Sequence, residues 1–250
     1  MKLTEQVILV TGGASGIGRH VVEHLHDEAR ELLVLDKNRE ALDELRESLP
    51  GVKCYPCDVT SAEDVGRTVD AIYGAESRVV TVLINNAGII HSEPLISLLR
   101  NGDKRHSVDA WHKTIDANLN SVFYVSAAVV AKMVEKRTKG LLINISSIAA
   151  NGNRGQSAYA ATKAAVNALT VTWSLELGPV GIRSTAIAPG FVDCPSTRKA
   201  LTEEHVQRWA KQTPLGRLGR LEEVAKSVRF IVENDFFNGR VLELDGGLRI

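Results

Sequence analysis

The stretch VILVTGGASGIGR, residues 7–19, carries an unbroken aliphatic run straight into a glycine-rich turn. A run that is apolar throughout, rather than at alternate positions, is expected of a strand buried on both faces of a parallel sheet. Gly12, Gly16 and Gly18 then open a helix. Glycines there let the backbone approach a pyrophosphate, and a helix N-terminus offers unpaired N–H groups and the positive end of its dipole. The spacing G-x-x-x-G-x-G is looser than the usual dinucleotide fingerprint, and its place directly after a buried strand gives it weight.

Reading outward, similar apolar runs recur at 32–35, 52–55, 79–84, 141–145, 184–188 and 241–244, each separated from the next by a longer segment. The β-α-β-α alternation with right-handed crossovers predicts a single α/β domain over 1–250, a Rossmann-type doubly wound sheet of seven parallel strands with helices on both faces. The second strand ends in Asp36, about 20 residues after the glycines, where a carboxylate accepts hydrogen bonds from an adenosine ribose and repels a 2′-phosphate. Ser15 stands where an arginine would grip that phosphate, so NAD is expected over NADP, although Lys37 weakens the inference slightly.

Composition bounds the partners. The 250 residues are 44% hydrophobic and 24% charged, with 30 basic and 30 acidic side chains interspersed. That balance gives no field for nucleic acid or an anionic membrane. No apolar run reaches the roughly 20 residues that span a bilayer, and the N-terminus lacks a signal-peptide cleavage pattern, so a cytoplasmic protein is expected. Cys54, Cys57 and Cys194 do not form an even disulfide framework. The C-x-x-C in VKCYPCDVT is read as part of a strand, since no second pair or histidine cluster accompanies it to make a zinc or redox site. The seven histidines show no ligand spacing, and no metal is expected.

Two connections are long. Residues 89–108 follow the fourth strand, and 189–219 separate the sixth strand from the last helix; the latter reads as a substrate lid with a short amphipathic helix at HVQRWAKQ. Between them, SAYAATKAA at 157–165 sets Tyr159 and Lys163 four apart among alanines. On a helix that spacing stacks the two on one face, and a nearby ammonium favours a phenolate, lowering the tyrosine pKa toward neutrality.

In order along the chain, TGGASGIG, NNAG at 85–88, YAATK at 159–163 and PG at 189–190 resemble the short-chain dehydrogenase/reductase family over nearly the whole sequence. The resemblance implies a catalytic tetrad. Asn118 would help hold a water-linked proton relay, and a serine thirteen residues before Tyr159, Ser146 rather than Ser147, would orient the carbonyl. Tyr159 would exchange the proton, and Lys163 would tune it and hold the nicotinamide ribose. It also implies cofactor contacts at Gly12, Ser15, Gly16, Ile17, Gly18, Asp36, Asp58, Val59, Asn86 and Val192. One departure stands out: the family usually has a threonine five positions after the proline, where this chain has Cys194, with Ser196 or Thr197 as substitutes for its hydroxyl.

The expected reaction is NAD-dependent interconversion of a secondary alcohol and a ketone. The 89–108 connection and the ending NDFFNGRVLELDGG look similar to members acting on 3-hydroxyacyl or 3-oxoacyl thioesters of coenzyme A or an acyl carrier; a steroid, sugar or other alcohol is the alternative. A non-catalytic NAD-binding subunit is opposed by the intact tetrad. The apolar helix around Tyr159 and AAVNALTVTWSLEL, as in family members, implies a homotetramer.

Overall fold

The computed structural model describes residues 1–74, 79–194, 197–198 and 202–249. Strands β1 (Val7–Thr11), β2 (Glu31–Asp36), β3 (Lys53–Pro56), β4 (Val82–Asn85), β5 (Gly140–Ile145), β6 (Ile182–Pro189) and β9 (Val241–Leu244) form one parallel sheet in the order β3-β2-β1-β4-β5-β6-β9. The seven apolar runs become these seven strands with ends moved by at most three residues. The fourth shifts most, because pairing with β1 begins at Val82 opposite Ile8.

Strand alternation sends Ile8, Val10, Val34, Ile84 and Ile143 to one face, and Leu9, Leu33, Leu83 and Leu142 to the other. Helices α1 (Gly16–Leu25), α2 (Arg39–Ser48) and α8 (Leu221–Glu233) cover the first face. The opposite face receives α3 (Ala62–Gly74), a long helix Val108–Glu135 and α6 (Ser157–Leu177). With both faces covered, every residue of β1, β4 and β5 is buried. Each such aliphatic side chain contributes roughly 1.5–3 kcal/mol, which is why these strands show no polar alternation.

The Val108–Glu135 helix comprises α4 (Val108–Ile115), a π-helical turn at Asp116–Asn120 and α5 (Ser121–Glu135). By length and composition it is long and apolar enough to cross a bilayer, which revises the sequence expectation. Here it lies against the sheet, burying Val122, Val125, Ser126, Val129 and Met133.

Neighbouring β1 and β4 are the point where the strand order reverses, so their carboxyl ends open the crevice in which such sheets bind ligands. The 189–219 connection contributes a two-stranded parallel pair, β7 (Val192–Asp193) with β8 (Gly219–Arg220), and α7 (Glu203–Gln212), the amphipathic helix expected there. Phe191 stacks on Trp209 with ring centroids 4.3 Å apart, fastening α7 to the base of that connection.

Candidate active site

A cleft of about 740 Å³ runs from the end of β2 across the β1–β4 junction to α6. At its first end the glycine turn is tied to its neighbours. Gly12 N donates to Leu35 O at 2.7 Å, and the buried Thr11 hydroxyl accepts from the amides of Asn86 and Ala87, both at 3.0 Å. Asn86 Nδ2 returns bonds to the carbonyls of Thr11 and Gly12 at 3.0 Å. Gly16 has φ of 54°, which favours glycine, and a Cβ on Gly18 would lie 2.3 Å from Gly12 O. Gly18 is therefore a packing residue under the turn rather than part of the cleft wall.

Ser15 precedes α1 without a side-chain cap, so no side chain competes for the first amides of the helix. Asp36 closes this end: Oδ2 accepts from Ala14 N at 3.2 Å and Oδ1 from Asn38 N at 3.0 Å, which fixes the carboxylate beside the turn. Gly12, Ser15, Gly16, Ile17, Asp36, Val59, Asn86 and Val192 line the cleft, as does Lys37. Asp58 does not; its carboxylate turns to the amide and hydroxyl of Thr60 at 3.0 and 2.7 Å, bonds that lower its pKa. Uncapped helix amides, a left-handed glycine turn and a fixed carboxylate at one end of a long cleft fit a dinucleotide.

At the other end stand Tyr159 and Lys163. Lys163 is buried, donates from Nζ to Ile145 O at 2.8 Å, and lies 5.7 Å from the centre of the Tyr159 ring. Burial lowers its pKa to about 8. The Tyr159 hydroxyl is bonded by the Ser147 hydroxyl, which favours the phenolate, but burial outweighs that bond and raises the tyrosine pKa. The expected lowering by Lys163 is thus absent here: desolvation acts on both groups and disfavours both charges.

The serine also differs from expectation. Ser146 is buried with its hydroxyl donating to Lys163 O at 3.3 Å, so its oxygen is engaged with the backbone of α6. Ser147, one residue on, faces the Tyr159 hydroxyl, and its oxygen also accepts from Ala149 N at 3.1 Å. Both serines line the cleft; sequence spacing selected Ser146, but the path of the connection between β5 and α6 brings the Ser147 hydroxyl to Tyr159.

Asn118 sits in the π-helical turn, fully buried behind the cleft. Its Oδ1 accepts from Ile89 N at 2.7 Å, and Nδ2 donates to Ile89 O at 2.8 Å. The amide therefore staples the chain leaving β4 to the long helix. A π turn is a common way to re-aim one side chain within a helix.

Thr197, unlike Ser196, lies within the described residues, and its hydroxyl is 3.2 Å from Cys194 Sγ, both lining the cleft. A hydroxyl thus stands beside the thiol that replaces the expected threonine. Cys54 and Cys57 are kept as thiols by burial, which raises both pKa values.

A second cavity, about 490 Å³, opens between Gly152–Arg154 and α7, lined also by Leu248 and Arg249. Neither arginine has an acidic partner among the described residues. The sequence reading singled out neither.

A family model described as enoyl-(acyl carrier protein) reductase matches residues 12–249. The chain is 37% identical to a 3-oxoacyl-(acyl-carrier-protein) reductase of Thermotoga maritima, with 100% of both covered. It is 35% identical to (3R)-3-hydroxyacyl-CoA dehydrogenase of Homo sapiens, with 99% of this chain and 97% of that one covered. The crystal structure of a short chain dehydrogenase from Bacillus anthracis superposes with a TM-score of 0.88 at 30% identity, covering 99% of this chain and 97% of that one.

Proposed function

Because this chain belongs to the short-chain dehydrogenase/reductase family, oxidoreductases that interconvert CH–OH and keto groups with a nicotinamide dinucleotide, we propose that it is an NAD-dependent member acting on a 3-hydroxyacyl or 3-oxoacyl thioester. One observation carries the chemistry: the Tyr159 hydroxyl is held by Ser147 and stacked one helical turn from buried Lys163, in the same cleft as Asp36.

A nicotinamide dinucleotide held by the glycine turn, Asp36 and Lys163 would accept the hydride of the carbinol carbon or supply it to the carbonyl carbon. Tyr159 moves the matching proton at the substrate oxygen, receiving it as the alcohol becomes a ketone and giving it back in reduction. Ser147 donates to that same oxygen and fixes its direction. Lys163, held by the Ile145 carbonyl, places its ammonium beside the ring, where it would hold the nicotinamide ribose. Asn118 acts as a positioning residue by holding Ile89, whose segment walls the cleft. Asp36 favours a ribose with both hydroxyls, hence NAD.

The thioester is supported by the curated relatives and by the second cavity, where Arg154 and Arg249, without an acidic partner among the described residues, supply positive charge near the Phe191–Trp209 stack. Such charge suits the phosphate of a coenzyme A or phosphopantetheine carrier. The 189–219 connection is the lid over that entrance. Apolar side chains on the outer surfaces of the two long helices, Phe123 at 52% and Leu175 at 73% exposure among them, are covered by further copies in a homotetramer.

NADH and NADPH oxidation against acetoacetyl-CoA, a simple diketone, a steroid ketone and a sugar-derived ketone tests the reading. Selective turnover of the thioester with NADH is expected; preference for any other ketone overturns the substrate. Light scattering that gives the monomer mass of 27.2 kDa overturns the tetramer.

A further inference from the structure

The connection after β4 doubles back. Ser97 N donates to Lys104 O at 2.7 Å and His106 N to Leu95 O at 2.9 Å, with a backbone bridge between Ile96 and Arg105. This hairpin returns His106 to the residues that precede it. His91 Nε2 lies 3.2 Å from Glu93 Oε2 and His106 Nδ1 3.5 Å from the same oxygen, and the three donor atoms all lie within 4.8 Å of one another. Glu93 is buried, the His106 side chain is 8% exposed within a half-buried residue, and His91 is one-third exposed.

We propose that His91, Glu93 and His106 form a binding site for one divalent transition-metal ion of the zinc class. Tetrahedral zinc with bonds of about 2.0–2.2 Å separates neighbouring ligand atoms by roughly 3.3–3.6 Å, and the two His–Glu distances fall at or close to that range. Two imidazoles and one carboxylate suit zinc or cobalt and are a poor set for calcium or magnesium. The outer shell is present too. Arg100 Nη2 sits 2.6 Å from Glu93 Oε1, the oxygen away from the histidines, and Ser107 N donates to Oε2 at 3.1 Å, so the carboxylate plane is fixed. One contact must yield: His106 Nδ1 is 2.9 Å from Ser107 O and releases it on coordination.

The site's place gives it a positioning role. Glu93 bridges the backbone of Gln156, whose Nε2 donates to Ser92 Oγ at 3.1 Å, and Gln156 immediately precedes the helix that carries Tyr159. Ile89 and Ile90, from the same segment, line the cleft. An ion there braces the hairpin against the catalytic helix without touching the reacting atoms.

The test uses the full chain, free of affinity tag and stripped with EDTA. Cobalt is titrated by its visible absorption and by quenching of Trp111, whose ring lies 6.4 Å from that of His106; zinc then displaces it. One ion per chain is expected, with no sulfur charge-transfer band, and a rise in thermal midpoint with zinc. His91→Gln and Glu93→Gln, each checked for fold by circular dichroism, should weaken zinc by at least about tenfold and lose the thermal shift. Cobalt binding equally weak in wild type and His91→Gln, or none in the folded wild type, overturns the site and leaves a hydrogen-bonded clamp only. NADH binding and thioester turnover are read separately, so failure here leaves the proposed reaction standing.

Discussion

At the β1–β2 end of the cleft, main chain does most of the work: a glycine turn, the first amides of α1, and one carboxylate fixed by two backbone amides. At the β5–α6 end the atoms proposed to act are the tips of Ser147, Tyr159 and Lys163, two of them carrying shifted pKa values from burial. A site made of backbone survives most side-chain changes, because the groups that bind are present in every residue. A site made of side-chain tips fails with the loss of one atom. Substitutions should therefore split into two classes by which end they touch.

The largest effect is expected at Tyr159. Tyr159→Phe should lower kcat by about 10²–10⁴-fold, the usual worth of a general acid, while NADH affinity measured by fluorescence stays within a few-fold. Near-normal turnover would break the comparison outright. Since burial raises the Tyr159 pKa, the phenol holds its proton at neutral pH. Ketone reduction should persist through neutrality, and alcohol oxidation, which needs the phenolate, should climb with pH.

The two adjacent serines give the next contrast. Ser147→Ala should cost about 10²-fold in kcat if, as proposed, its hydroxyl donates to the substrate oxygen, whereas Ser146→Ala should cost no more than a few-fold. The reverse order would restore the choice made on sequence spacing.

Lys163 sharpens the comparison from the side of stability. Its pKa falls from 10.5 to about 8, so the folded chain releases this proton more readily than the unfolded chain. Between about pH 8 and 10.5 the unfolded state holds the extra proton, and ligand-free stability should gain from this group as pH rises through that window. At pH 7 the buried ammonium is a cost, and Lys163→Met should raise the ligand-free thermal midpoint by a few degrees, on the order of 1–3 kcal/mol, while abolishing turnover. A lowered midpoint would mean that the bond to Ile145 O outweighs desolvation.

The same division explains what was legible in the sequence. The seven strands and the glycine turn follow from short-range pattern: VILV is apolar throughout and buried on both faces, and Gly16 takes a positive φ. Residue types at the catalytic end were legible too, because Tyr159 and Lys163 share one helix. Which atoms meet across elements was not. Ser147 over Ser146 depends on the path between β5 and α6. The Tyr159 shift reverses sign because burial, invisible in a four-residue spacing, raises the pKa by more than the Ser147 bond lowers it. His91, Glu93 and His106 looked scattered because the hairpin that joins them is closed by backbone bonds across 95–106, which leave no periodic signature.

The smallest effect is expected at the backbone-built end, where a single side chain does the reading. Asp36→Ala leaves the turn, the helix amides and the bonds from Asn86 in place, so NADH should still bind. The lost interaction is a carboxylate accepting from ribose hydroxyls, worth about 1.5–3 kcal/mol in a favourable setting. Partial solvent access and neighbouring Lys37 place the outcome toward the low end, so the NADH-to-NADPH ratio of kcat/KM should fall by about tenfold rather than invert. Most of the change should come from better NADPH turnover, since removing a like charge helps the 2′-phosphate while the pyrophosphate contacts are unchanged. An unchanged ratio would show that Asp36 only holds Ala14 and Asn38. A loss of all dinucleotide binding would show that this end depends on one side chain as heavily as the other, and the contrast between the two ends would fail.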